Sequence, residues 1–208
     1  GPPVLILGET GTGKELIARA LHFDGPRRDH PFIEVNCAAL SSNLVESELF
    51  GHERGAFTDA RERKPGLFQA AEGGTLFLDE IGELPLPAQA KMLKAIEEKA
   101  IRPVGSVRDR RVDVRIVAAT NASGEDKARS GEFRSDLYYR LSTVSIVSPP
   151  LRERGADVLV LADAFLAAFR RRYERPDLTF DEAARAALMR HRWPGNVREL
   201  RNVVERAT

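Results

Sequence analysis

Apolar residues fall along this chain in two rhythms. Short runs of β-prone residues sit near Val4, Phe32, Leu76, Val114 and Val144, and between them apolar positions recur at helical spacing over 15–23, 42–50, 87–98 and 134–139. Short apolar runs alternating with helices imply an α/β fold, a parallel sheet with both faces covered. Pro149-Pro150 interrupts the alternation. Beyond it, 156–173, 181–191 and 196–207 all read as helices, with Asp181 as an N-cap and Pro194-Gly195 as a turn. The pattern therefore predicts an α/β domain over residues 1–150 and a small all-helical lid over 151–208.

Composition narrows the picture by exclusion. A chain of 208 residues with 42% hydrophobic positions can build a core, which argues against disorder. Lys and Arg number 32 against 31 Asp and Glu, a net charge of +1, so there is no bulk drive toward nucleic acid or anionic lipid and any binding is local. The longest nearly apolar stretch, 158–169, contains Asp163 and falls short of the ~20 residues of a membrane span. No secretory leader is legible at the start, and the single cysteine, Cys37, excludes an internal disulfide. A cytoplasmic protein without membrane contacts is expected, with Cys37 a packed small hydrophobe.

The chemistry begins at the first strand. Gly8-Glu9-Thr10-Gly11-Thr12-Gly13-Lys14 fits G-x-x-x-x-G-K between an apolar run and a helical stretch. Glycines in that place let backbone N–H groups line a concavity at a helix N-terminus, and Lys14 reaches the outer phosphates of a nucleotide. Glu15 stands where Ser or Thr usually ligates Mg²⁺, and a carboxylate serves a hard cation directly or through water. A second apolar run, Thr75 to Leu78, ends in Asp79-Glu80, suited to the Mg²⁺ shell and to polarising a water. A third ends in Thr120-Asn121, which reads either as groups orienting the water or γ-phosphate, or as an Asx turn.

These three stations in this order resemble an AAA+ ATPase, and the intervening segments resemble the bacterial enhancer-binding proteins that activate sigma-54 RNA polymerase. The matching stretches are Gly8 to Glu15, Asn36 to Leu40, Glu48 to Glu53, Gly55 to Ala60, Gly73 to Ile81, Phe133 to Leu141, Pro149 to Arg154 and Trp193 to Leu200. The resemblance covers nearly the whole chain. It implies ATP and Mg²⁺ as cofactors, Asn36 as the switch that holds and releases the catalytic Glu80, and Asn121 as sensor I. It further implies Arg134 and Arg140 as arginines supplied to a neighbouring subunit's ATP, Arg198 as sensor II, and a hexameric or heptameric ring. Without it, Arg134 and Arg140 read as a solvated face.

The segment Gly55-Ala56-Phe57-Thr58-Asp59-Ala60 resembles the pore loop that engages the sigma-54 polymerase holoenzyme. Here Asp59 replaces the second glycine of that motif, removing a residue free to adopt positive φ and adding a negative charge. Taken alone, the segment reads rather as a loop whose Phe57 folds back onto the domain, and the resemblance reverses that reading. A second loop, 102–110, resembles the neighbouring pore hairpin. The resemblance implies an ATPase core, with sensory and DNA-reading domains lying outside it. Two other readings share the phosphate loop: an ATP-controlled assembly or binding module that regulates transcription without remodelling sigma-54, which Asp59 favours, and a P-loop kinase, which gives no reason for the arginines or the Phe57 loop.

Overall fold

In the computed structural model, which describes residues 1–121 and 123–208, the chain runs β1 (Val4–Leu7), α1 (Lys14–Phe23), β2 (Phe32–Asn36), α2 (Val45–Phe50), α3 (Leu67–Ala70), β3 (Thr75–Asp79), α4 (Leu86–Glu98), β4 (Ala100–Ile101) and β5 (Arg110–Arg111). It continues through β6 (Arg115–Thr120), α5 (Gly124–Ser130), α6 (Ser135–Leu141), β7 (Val144–Val147), α7 (Asp157–Arg172), α8 (Glu182–Arg190) and α9 (Asn196–Ala207). Two compact units emerge. One contains Gly1–Leu7 with Glu15–Ile146, and the other gathers Gly8–Lys14 with Val147–Thr208.

The first unit is built on a five-stranded sheet of order β2-β3-β6-β1-β7. β1 runs parallel to β6, β6 to β3, and β3 to β2. Parallel neighbours need long crossovers, which the helical stretches between the strands supply. Strand side chains alternate between faces. Leu5, Leu76, Leu78, Ile116 and Ala118 pack on one side with Ala88 and Met92 of α4, whereas Ile6, Phe77, Val117 and Ala119 pack on the other with Ala18 of α1. Burying each large apolar side chain contributes about 1.5–3 kcal/mol, which makes both faces necessary to the sheet.

Two helices escape the apolar pattern. α3 is a single turn, and α5 has the polar sequence Gly-Glu-Asp-Lys-Ala-Arg-Ser, whose only buried member is Gly124. α5 instead draws on acids in its first turn and a Glu125–Arg129 ion pair one turn apart, at 2.6 Å. β4 and β5 form a separate antiparallel pair flanking residues 102–109.

The second unit has its own core, in which Leu166 and Phe169 of α7 meet Leu188, Trp193, Leu200 and Val204. The Trp193 indole N–H donates to the Leu188 carbonyl at 2.9 Å, so the ring is buried with its polar edge satisfied. Asp181 caps α8 by accepting from the Ala184 N–H at 2.7 Å. Among the described residues, no helix is long and apolar enough to cross a membrane.

The entry to β3 depends on an absent side chain. A Cβ on Gly74 would lie 1.9 Å from the Pro31 carbonyl oxygen, where the Thr75 N–H donates to that same oxygen at 2.9 Å. Both clashing groups are backbone, so relief requires the edge of the sheet to move. Gly74→Ala is expected to destabilise the protein by about 1–3 kcal/mol, read as a lower urea midpoint at unchanged m-value.

Candidate functional site

In the sheet unit, parallel pairing brings the carboxyl ends of β2, β3 and β6 to one edge, the usual location of a ligand site in such sheets. Asn36 ends β2 in register with Asp79, which ends β3. The half-buried Asp79 accepts the Glu80 N–H through Oδ1 at 3.0 Å. Glu80 itself adopts φ 52° and ψ 49°, the left-handed region that a non-glycine residue occupies at a cost of about 1–3 kcal/mol. That conformation ends the strand abruptly and turns the chain into the 3-10 turn Ile81–Glu83, of which Ile81 and Gly82 are buried. Two adjacent acids are thereby separated, one closing a strand and the other opening a turn.

Around this pair the polar groups are locally held. The Asn36 carboxamide oxygen accepts the Ala38 N–H at 2.9 Å and caps the turn Cys37–Ala39. Asn121, directly after β6, accepts from the Ser123 N–H at 3.2 Å and its hydroxyl at 2.5 Å. Its oxygen thus forms the Asx turn that the sequence allows. Buried Cys37 has its thiol pushed up to about 12 by burial and by the negative charges of Asp79 and Glu80, so it stays a neutral packing group. Glu15 is paired with Arg19 at 2.8 Å, and Arg19 also reaches Glu34 at 2.8 Å. Among the described residues no cluster of three or more His, Cys, Asp or Glu side chains forms a ready cation cage. The chemistry of Asp79, an oxygen donor at a strand end, nonetheless fits Mg²⁺, which commonly takes one or two carboxylates and keeps several waters.

Arg134 immediately precedes α6 and Arg140 lies in its last turn. Arg134 is engaged by Asp136 through Nε at 3.0 Å and Nη2 at 2.7 Å. Its backbone N–H donates at 2.8 Å to Gln89, a fully buried amide that also donates to the Leu84 and Glu132 carbonyls. The sequence held one signal of that role, a polar residue on the apolar face of α4. Arg140 is exposed and has no ion-pair partner among the described residues.

The Phe57 segment is a closed loop. His52 and Lys64 exchange backbone hydrogen bonds at 3.0 Å, and Gly55 donates to the Ala60 carbonyl at 2.8 Å. Phe57 is half-buried, its ring edge-on to His52 at 4.9 Å, while Thr58 and Asp59 are exposed. His52 is buried between the Ser47 hydroxyl at 2.7 Å and the Glu62 carbonyl at 3.0 Å. The positive φ that the loop requires is at Gly55, at 80°, and Asp59 stays outside the left-handed region. The substitution of glycine by Asp59 therefore introduces charge without backbone strain. On the second loop, a Cβ at Gly105 would meet the Ala56 Cβ at 2.8 Å, so the two loops pack closely.

In the other unit, the glycine-rich loop lies with the lid. Gly11 and Gly13 take φ of 83° and 97°, conformations that L side chains resist. The Thr12 hydroxyl donates to the Glu9 carbonyl at 2.8 Å, and Lys14 Nζ donates to the Gly8 and Glu9 carbonyls at 2.8 and 3.2 Å. Lys14 is only 6% exposed and has no carboxylate partner among the described residues. With carbonyls as its partners and no carboxylate beside it among the described residues, the ammonium is available to an anion. The N-terminus of α9 abuts the loop: the Val197 and Arg198 N–H groups donate to the Gly11 carbonyl at 2.9 and 3.3 Å. Exposed Arg198 borders a cavity of about 560 Å³ together with Thr10, Gly195, Glu199 and Asn202. Arg152, Arg154 and Asn196, to which the sequence assigned no role, also hold this loop.

Comparison with known proteins divides the chain near residue 150 and keeps the glycine-rich loop with the sheet. Residues 2–147 match the Sigma-54 interaction domain and residues 152–208 the AAA+ ATPase lid domain. The chain is 57% identical over 205 residues to the nitric oxide reductase transcription regulator NorR1 of Cupriavidus necator, covering 99% of this chain and 40% of that protein. It is 55% identical over 205 residues to the alginate biosynthesis transcriptional regulatory protein AlgB of Pseudomonas syringae pv. tomato, covering 99% and 46%. The chain thus spans less than half the length of these relatives. Among solved structures, NtrX from Brucella abortus in complex with ATP superposes with a TM-score of 0.90 at 36% identity, over 99% of this chain and 44% of that one. With both of its units matched in order, the chain belongs to the NtrC-like family of sigma-54-dependent bacterial enhancer-binding regulators, as their AAA+ ATPase domain.

Proposed function

We propose that this domain hydrolyses Mg-ATP within a hexameric or heptameric ring and uses the cycle to remodel the closed complex of sigma-54 RNA polymerase. The observation that carries the reading is Lys14, a buried cation held by the Gly8 and Glu9 carbonyls and with no carboxylate partner among the described residues, which suits it to a phosphate. Glu80 is the base. As a water oxygen bonds to the γ-phosphorus, its proton passes to the Glu80 carboxylate, the bond to the bridging oxygen breaks, and ADP and phosphate leave. Asp79, with Glu15 directly or through water, would hold Mg²⁺, whose charge when bound offsets that of the phosphate oxygens.

The remaining residues act by position. Asn121 orients the water or γ-phosphate with its amide group, and Asn36 couples Glu80 to the nucleotide state. Arg198 reports the γ-phosphate to the lid. Arg140, exposed and without an ion-pair partner among the described residues, is suited to a neighbouring subunit's phosphate, and Arg134 joins it after parting from Asp136. Phosphate loss then moves the Phe57 loop, with Gly55, Ala56, Thr58, Asp59 and Ala60 as the partner-facing backbone. DNA is bound only through domains outside this chain. A second reading, an ATP-controlled binding module without sigma-54 remodelling, is favoured by exposed Asp59 and by the ring of Phe57 folded onto His52.

Glu80→Gln is expected to lower ATP turnover roughly 10²–10⁴-fold while ATP binding persists, measured by phosphate release beside equilibrium binding; unchanged turnover would remove Glu80 from the base role. Arg140→Ala and Lys14→Ala subunits, each inactive alone, are expected to recover part of the hydrolysis when mixed, because an intact arginine then meets an intact loop. Absence of recovery at matched assembly speaks against action across the interface. In an ATP transition-state analogue, the domain is expected to retain sigma-54 in a pull-down, with Asp59→Gly retaining more. Binding by neither form favours the module without remodelling.

A further inference from the structure

A carboxylate at the mouth of an anion-binding loop is an electrostatic contradiction. Unpaired, Glu9 would repel the phosphates that the loop is shaped to receive. Both of its oxygens are instead engaged. Arg152 donates through Nη2 to Oε1 at 2.7 Å and through Nη1 to Oε2 at 2.9 Å, a two-pronged pair, and the Asn196 amide donates to Oε2 at 3.1 Å. The Arg152 contact first, then that of Asn196, holds the Glu9 carboxyl down to about 2, against 4.5 for a free one. The pair is therefore fully formed above the ordinary carboxylate range and is lost only as pH falls toward 2.

Asn196 is the centre of the arrangement. It is fully buried and left-handed at φ 52°, a conformation asparagine tolerates better than most residues. Its Oδ1 accepts the Leu151 N–H at 2.8 Å, and its Nδ2 donates to Glu9 and to the Thr10 carbonyl at 3.1 Å. One acceptor and two donors in a short planar fork are what a carboxamide supplies and a carboxylate does not. Next along the loop, the Gly11 carbonyl receives the α9 N–H groups, and the Thr12 carbonyl receives Arg154 Nη2 at 2.8 Å.

Three consecutive carbonyls, of Thr10, Gly11 and Thr12, are thus all taken by groups of the lid unit. In a trans peptide the carbonyl and the following N–H point in opposite directions, and no cis bond is present. Fixing the Thr10 and Thr12 carbonyls on one side aims the Gly11 and Gly13 N–H groups to the other, and neither donates within the chain among the described residues. We infer that Asn196, Arg152 and Arg154 are positioning residues for the nucleotide: they hold the phosphate loop by its carbonyls and by the Glu9 carboxylate, so that its N–H groups are set for phosphate before the nucleotide arrives. This rests on the nucleotide reading of the loop given above.

The test is a titration of the whole domain with a fluorescent mant-ADP in Mg²⁺, with Glu9→Gln, Asn196→Asp and the two combined. Glu9→Gln is expected to raise Kd roughly ten-fold, and KM for ATP in parallel, with a smaller fall in kcat. Asn196→Asp, which sets a second carboxylate against Glu9 and the Thr10 carbonyl, is expected to raise Kd further. The combined variant, in which amide and carboxylate exchange places, is expected to recover part of the Asn196→Asp loss. Wild-type Kd in Glu9→Gln with only a lowered Tm, or losses that simply add in the combined variant, overturns the inference while leaving the ATPase proposal intact. Failure of the wild-type domain to bind mant-ADP or ATP overturns both. Should Asn196→Asp not fold by circular dichroism, Glu9→Gln, Arg152→Gln and their double decide on the same criteria: equal, non-additive losses support the network, and additive or absent losses refute it.

Discussion

Parallel hydrogen bonding between β2, β3, β6 and β1 is the constraint from which the rest of the sheet unit follows. Because the strands run one way, Asn36, Asp79 and Asn121 all arrive at the same edge without any attraction between them. Because each return must cross over, helices cover both faces, and the strands can be apolar on consecutive positions. The site is thus a by-product of direction. Once Leu76, Phe77 and Leu78 are buried, the next residues, Asp79 and Glu80, are the first that can carry charge.

Charge is then placed where the backbone leaves no alternative. Lys14 is buried among carbonyls, Glu80 is held in a left-handed conformation, and Cys37 keeps its proton beside Asp79 and Glu80. At Glu80 the local cost is sustained by the surrounding packing, since Leu78 and Ile81 are fully buried on either side of it. Such costs concentrate at working sites because a relaxed group has no reason to respond to a ligand. The glycine-rich loop follows the same logic, with Gly11 and Gly13 in conformations that side chains resist and the intervening carbonyls held by the lid unit.

The Phe57 loop stands apart in kind. It is closed by backbone bridges from His52 to Lys64 and Val104 and steadied by the His52 side chain. A loop so tied at its base and lightly held at its tip can change the exposure of one ring without disturbing the sheet. Asp59 changes the charge of that tip and leaves its backbone conformation available.

What the sequence by itself determined was whatever is written in short-range pattern. The strand runs, the glycine spacing before Lys14, the Asp79-Glu80 strand end, the Asp181 cap and the helical lid were all legible, because each is decided by neighbours a few positions away. α5 was not, since Gly124 is its only buried residue and its stability comes from charges rather than an apolar stripe. Nor were His52 as the partner on which Phe57 folds back, the buried Gln89 that fixes the Arg134 backbone, or the hold of Arg152, Arg154 and Asn196 on Glu9, Thr10 and Thr12. Those contacts join residues separated by as many as 187 positions, as between Glu9 and Asn196. A polar side chain looks the same in a sequence whether water or a distant carbonyl satisfies it, and only the tertiary structure decides which.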